Sequence, residues 1–247
     1  MTFEPSIVFV VGLTFLLAGL VKGVIGMGLP TVSLGLLTAV VGLPQAMALL
    51  IIPSLVTNFW QGVVGGNLLG LLKKHWLFFL SATASIGLGA YFGREIGLAY
   101  LSALLGMVLI VYAAINLLGV RFVLSAKQGR WSAPVFGIAN GVLTGLTGSF
   151  VMPGVPYLQA LGLDRNQLVQ AMGVLFTFST LGLAIALWGN NRITSDLAWL
   201  SLIGLVPAII GMIIGQKIRH RLSEIQFRRV FFWSMLIIGA YIAWKAF

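Results

Sequence analysis

Lys22 stands in a run of glycines, Gly19-Leu-Val-Lys22-Gly23-Val-Ile-Gly26-Met-Gly28, inside a long apolar stretch. An ammonium is costly in hydrocarbon, and glycines that break a helix leave backbone N–H groups, at the positive end of a helix dipole, free to meet an anion. Together they would make a site for a small anion. A second run, Gly137-Ile-Ala-Asn140-Gly141-Val-Leu-Thr144-Gly145, followed by Gly148 and Pro153, repeats the pattern with Asn140 set against Lys22. Two structural readings compete. Glycines four apart let helices pack closely, and a lysine near the end of a spanning helix can stretch its ammonium to the interface.

Uncharged polar residues gather around these runs: Thr57, Asn58 and Gln61, then Thr144, Thr147 and Ser149, then Gln170, Thr177 and Ser179. Hydroxyls often bond back to their own helix, but a buried amide is costly enough to need a reason. The expected substrate-binding set is therefore Lys22, Gly23, Gly26, Gly28, Asn58, Gln61, Asn140, Gly141, Thr144, Gly145, Gly148, Gln170 and Thr177. No catalytic, metal or cofactor site is expected. Cysteine is absent, which excludes thiolate chemistry, and the two histidines, His75 and His220, fall in basic junctions. No H-E-x-x-H, G-x-S-x-G or G-x-x-x-x-G-K-[ST] pattern occurs, so the chain is not expected to be an enzyme or to hydrolyse ATP.

The elements that would position these residues follow from hydropathy. Of 247 residues 59% are hydrophobic and 8% charged, against roughly 25% charged in a soluble domain. No Asp, Glu, Lys or Arg occurs over 23–72, 131–163, 166–191 or 197–216. Roughly 20 apolar residues span a bilayer as a helix, and these unbroken runs lack the alternation of a membrane barrel. The expectation is an all-α polytopic membrane protein. The opening Met-Thr-Phe-Glu-Pro-Ser carries an acid and no base, unlike a cleavable signal peptide, so the first segment is expected to be retained.

The apolar pieces run 6–27, 30–41, 44–62, 75–93 and 96–118, then 134–147, 151–161, 167–188, 197–215 and 227–244. Each series opens with two pieces about a glycine cluster, the second short, and continues with three longer ones. Gln-Ala-Met at Gln45 and Gln170 and Gly-Leu at Gly42 and Gly162 support a duplication. Fifteen bases against five acids give a net charge of +10. Ten of those bases lie in three junctions: Lys73 and Lys74; Arg121, Lys127 and Arg130; and Lys217, Arg219, Arg221, Arg228 and Arg229. The positive-inside rule puts all three in the cytoplasm, which accounts for the basic excess without nucleic acid. Each half is then a glycine-broken helical hairpin plus three transmembrane helices. That odd number of crossings makes an inverted-topology repeat: residues 1–120, a basic cytoplasmic linker at 121–133, and residues 134–247, with both termini external. Such repeats bind substrate near mid-membrane between the halves.

The spacing Gly19-x3-Gly23-x2-Gly26-x-Gly28, its copy Gly137-x3-Gly141-x3-Gly145-x2-Gly148, the proline-bearing segments after each and the basic linker resemble the TauE/SafE sulfite exporter family of membrane permeases. That resemblance implies a gradient-driven exporter of sulfite, a sulfonate or a related sulfur anion in a bacterial cytoplasmic membrane. A passive anion channel and a non-transporting assembly subunit are the alternatives. The expected partners are a small anion and the lipid bilayer, with a homodimer left open. All five acids, Glu4, Glu95, Asp164, Asp196 and Glu224, are expected at segment ends, so no carboxylate is placed to shuttle protons at the midplane. The orientation is testable on this cysteine-free background. A single cysteine at Lys127 should resist an impermeant thiol reagent in intact cells, and one at Glu95 should react; the reverse pattern would sink the orientation.

Overall fold

The computed structural model describes residues 4–120, 122–221 and 223–247. Arg121 of the central basic junction lies outside them, as do the side chains of His220 and Glu224. Among the described residues every long element is a helix: α1 (Pro5–Ile25), α2 (Leu29–Val41), α3 (Leu43–Leu49), α4 (Ile51–Val64), α5 (Leu68–Ala84), α6 (Ile86–Phe92), α7 (Leu98–Leu117), α8 (Ala126–Thr147), α9 (Gly154–Ala160), α10 (Arg165–Gly189), α11 (Ser195–Ile218) and α12 (Glu224–Lys245). Five of them, α1, α7, α10, α11 and α12, are long and apolar enough to cross a bilayer, and α3 with α4, bent by 46°, is either a broken sixth span or a re-entrant loop. The chain is a multi-pass α-helical membrane protein.

The breaks have local causes. Pro53 has no N–H to give the Leu49 carbonyl, and Ser201 of α11 fills the gap. Its Oγ donates to Leu49 O at 2.7 Å and accepts from the Ile52 N–H at 3.2 Å. The expected segment 44–62 is therefore two helices rather than one. α1 and α8 each end at a glycine in the left-handed region: Gly26, φ 78°, gives its N–H to Lys22 O, and Gly148, φ 72°, gives its N–H to Thr144 O. Only glycine takes that conformation without strain. These two helix ends match when Lys22 is set against Thr144. That match lies one turn from the sequence pairing of Lys22 with Asn140, since glycines that recur every four residues fit equally well when slid by four. The short piece expected at 151–161 is helical only over Gly154–Ala160.

Packing pairs α1 with α11, α8 with α5 and α6, α4 with α10, and α7 with α12. Glycine lines every one of these contacts. A methyl added at Gly19 or Gly23 would strike the backbone of α11, and one at Gly211 or Gly215 the backbone of α1. Gly141 and Gly145 press on α5 and α6 in the same way, Gly62 meets Gly173, and Gly106 meets Gly239. In lipid, where apolar surface gains nothing by leaving its solvent, such close backbone approach is what holds helices together.

Gly141→Val and Gly211→Val, which place side chains against carbonyls of a facing helix, should each lower the melting temperature of the purified protein, with overpacking costing about 1–3 kcal/mol. Gly12→Ala and Gly87→Ala, whose added methyls meet nothing within 4 Å, should leave it unchanged or slightly raised. Equal effects in the two sets would remove the packing role.

Candidate functional site

The glycine face of α1 is spent on α11, and this settles where Lys22 points. Residues 22 and 23 are about 100° apart around a helix, so with Gly23 against α11 the lysine turns towards α4. Its side chain is buried, with 4% exposed, and does not reach water at the interface. The Nζ donates to Thr57 Oγ1 at 3.2 Å and to Asn58 Oδ1. Thr57 Oγ1 passes its own proton to Pro53 O at 2.7 Å, on the carbonyl one turn back. Both partners of the ammonium are uncharged. The lysine needs an acceptor, which fixes the Asn58 amide with its oxygen towards Lys22 and leaves Asn58 Nδ2 buried without a partner.

Above Lys22 opens a cavity of about 410 Å³ walled by α1, α4, α10 and α11. Lys22, Gly23, Gly26, Gln61 and Gln170 of the expected set line it, with Thr57, Arg165, Gln216 and Arg219. Three bases line this cavity and no acid does. The two glutamines tie α4 to α10: Gln61 Nε2 donates to Val169 O at 2.7 Å, and Gln170 Nε2 to Gly62 O at 2.8 Å, while Gln170 Oε1 accepts from the Asn67 N–H at 3.1 Å. Beside Gly26 only the Val169 side chain comes within 4 Å of an added methyl, so the surface there is open.

The rest of the expected set lies elsewhere. Gly28 packs against Val21 and Phe231. Asn140 Oδ1 accepts from the Gly154 N–H at 2.9 Å and so caps α9, with its Nδ2 buried and unpartnered. Thr144 donates to Ser149 O at 3.0 Å, and Thr177 bonds back to Gly173 O at 2.7 Å. Gly141 packs on α5, and a methyl at Gly148 would strike Met47. Gly145 lines a second cavity, of about 430 Å³, shared with Met47, Leu187, Arg94 and Arg192. That cavity sits at the far end of α10 from Arg165, where Arg94 donates to Asn190 Oδ1.

By sequence Arg219 marks only orientation, and Arg165 stands out only as one of the fifteen bases. For Arg219 a signal was present in the spacing. Met212, Gln216 and Arg219 fall at i, i+4 and i+7 on one face, and Asn166 precedes Gln170 by four on another, whereas Arg165, five before Gln170, carries no such phase. What phase could not supply was that both faces turn to Lys22.

Comparison with known proteins agrees with this architecture. The family model described as sulfite exporter TauE/SafE matches residues 11–242. No curated protein and no solved structure gives a match. The matched region runs from the first helix to the last and takes in both glycine-ended helices and the basic cavity about Lys22; the chain belongs to the TauE/SafE sulfite exporter family of membrane transporters.

Proposed function

We propose that the protein is a secondary transporter that exports sulfite or a sulfonate across a bacterial cytoplasmic membrane, with the anion held in the cavity about Lys22. The observation that carries this reading is a buried ammonium with two uncharged hydrogen-bond partners, opening on a cavity with Arg165 and Arg219 in its wall and no acid. An anion supplies the countercharge that the two partners of Lys22, Thr57 and Asn58, do not. Removed from water, it interacts with fixed donors far more strongly than at a surface.

The oxygens of the anion accept from Lys22 Nζ and from the arginines, and the open surface at Gly26 leaves room for it beside the lysine. The cavity at the other end, by Arg94 and Arg192, belongs to the same path. α3 and α4 carry Met47 of one cavity and Gln61 of the other, and α10 carries Leu187 and Gln170. Between these ends lie Ser54, Asn58 and Ser179, each with a buried polar atom that has no partner. Unpaired polar atoms are expensive in a membrane core, and a passing oxyanion satisfies them. The inverted repeat supplies the motion. α1 packs on α11 as α8 packs on α5 and α6, and α4–α10 and α7–α12 pair each helix with its counterpart, which is the reciprocity two halves related by a pseudo-twofold axis would show. Rocking of one half on the other opens each cavity in turn, the basic end facing the cytoplasm.

The described acids sit at helix ends, Asp164 as the N-cap of α10 and Asp196 in the first turn of α11, so the driving ion is not taken up by a carboxylate in the cavity wall. Titration of sulfite into the purified protein should give saturable binding. Lys22→Met, which keeps most of the aliphatic stem, should weaken it about 5- to 150-fold, the loss of a charge-assisted hydrogen bond of about 1–3 kcal/mol. Affinity within twofold of the parent in a folded Lys22→Met protein would take Lys22 out of the site. Counterflow in vesicles should saturate, which a passive channel would not do.

A further inference from the structure

A cavity of about 990 Å³ outside the transport path lies between the middle of α5, the start of α8 and α9. Lys73, Lys74, Lys127 and Arg130 line it and no acid does. In its wall stands His75, at the point where α5 leaves helical geometry with φ −119° and ψ 20°. The residue is only 7% exposed, and its Nε2 is buried with no hydrogen-bond partner. An imidazole nitrogen seldom stays buried and unpaired. His75 itself lines a space bordered by four cations.

The outer surface beside the cavity is apolar in a particular way. Trp76 and Trp131, both lining it, are exposed, and from them two exposed stripes run along the helices: Trp76 and Leu80 on α5, and Trp131, Val135 and Ile138 on α8. Spacings of four, and of four and seven, keep each stripe on one helix face. A basic pocket at the membrane surface, framed by tryptophans and continued by lipid-facing apolar stripes, has the shape of an amphiphile with an anionic head. A free anion would use the bases and leave the stripes without a role.

We propose that this cavity binds the phosphodiester headgroup of an anionic phospholipid, with Lys73, Lys74, Lys127 and Arg130 around the phosphate, His75 contacting it from beneath, and the acyl chains lying on the α5 and α8 stripes. The site shares no residue with the Lys22 cavity and stands independently of the substrate assignment. It bridges a helix of the first half and a helix of the second, so its occupant clamps the two where they pack.

The test is lipid binding to the whole protein in detergent, read by native mass spectrometry and by melting temperature, with phosphatidylglycerol, phosphatidylcholine and inorganic phosphate as probes. Phosphatidylglycerol should bind about tenfold or more tighter than phosphatidylcholine, and inorganic phosphate should not displace it at millimolar concentration. Lys127→Gln with Arg130→Gln, both exposed positions, should bring phosphatidylglycerol down to the phosphatidylcholine level. Lys217→Gln with Arg229→Gln, the same charge change elsewhere among the cytoplasmic bases, should leave affinity within twofold. His75→Phe should weaken binding about threefold or more by removing the buried nitrogen. Equal losses in the two double variants would mean diffuse charge attraction and overturn the site. Displacement by inorganic phosphate, or unchanged affinity in a folded His75→Phe protein, would overturn it as well.

Discussion

Close approach of helix backbones, made possible by glycine, is the constraint from which the rest of this structure follows. Gly19 and Gly23 on α1 face Gly211 and Gly215 on α11 so tightly that a methyl on any of the four would strike the opposite backbone. The contact fixes the rotation of α1, and rotation decides the fate of Lys22. Turned to the position of Gly23, the side chain would run into the α11 backbone. Held as it is, it lies against Thr57 and Asn58 with almost no exposure. The charge is thereby confined where its solvation must come from neutral protein groups and from whatever enters the cavity.

A membrane interior also demands that every broken helix bond be answered from within. The Pro53 break is answered by Ser201, whose hydroxyl serves both the Leu49 carbonyl and the Ile52 N–H. α9 is answered by Asn140, which takes its first N–H. These satisfied breaks contrast with Ser54, Asn58, Asn140 and Ser179, each retaining a buried polar atom without a partner. Asn140 belongs to both groups: one end of its amide is structural and the other is open. The open polar atoms on α4 and α10 lie between the two cavities, which is where a transported oxyanion would need successive donors.

The halves do not contribute alike. The hairpin around Gly26 carries a lysine and borders the Lys22 cavity, whereas the hairpin around Gly148 carries Thr144 at the matching place and spends its hydroxyl on Ser149. Similar helix ends thus differ, one setting a lysine beside a cavity and the other closing on itself. A site drawn from both glycine runs in equal measure divides in space: Lys22, Gly23, Gly26, Gln61 and Gln170 at one cavity, Gly145 at another.

Much of the architecture was legible in the chain because bilayer physics leaves few choices. Charge-free runs located most of the spanning helices, and the rarity of an intramembrane lysine singled out Lys22, but the basic stretch read as a linker is largely the start of α8, and Lys73 and Lys74 lie within α5. Sequence could also say that glycines at spacings of four would pack, but not against which helix, since lipid-facing and helix-facing sides are both apolar. It could not fix the repeat register, because a glycine pattern with period four superposes on itself after one turn. Tertiary structure alone decided that Gly23 faces α11 and so turns Lys22 inward, that Ser201 from a distant helix would bend 44–62 at Leu50, and that Arg165 and Arg219, bases at helix ends by sequence, would wall the same cavity as a buried ammonium. Those outcomes depend on contacts between residues more than a hundred positions apart, and no local pattern of polarity encodes which of several equally apolar faces will meet.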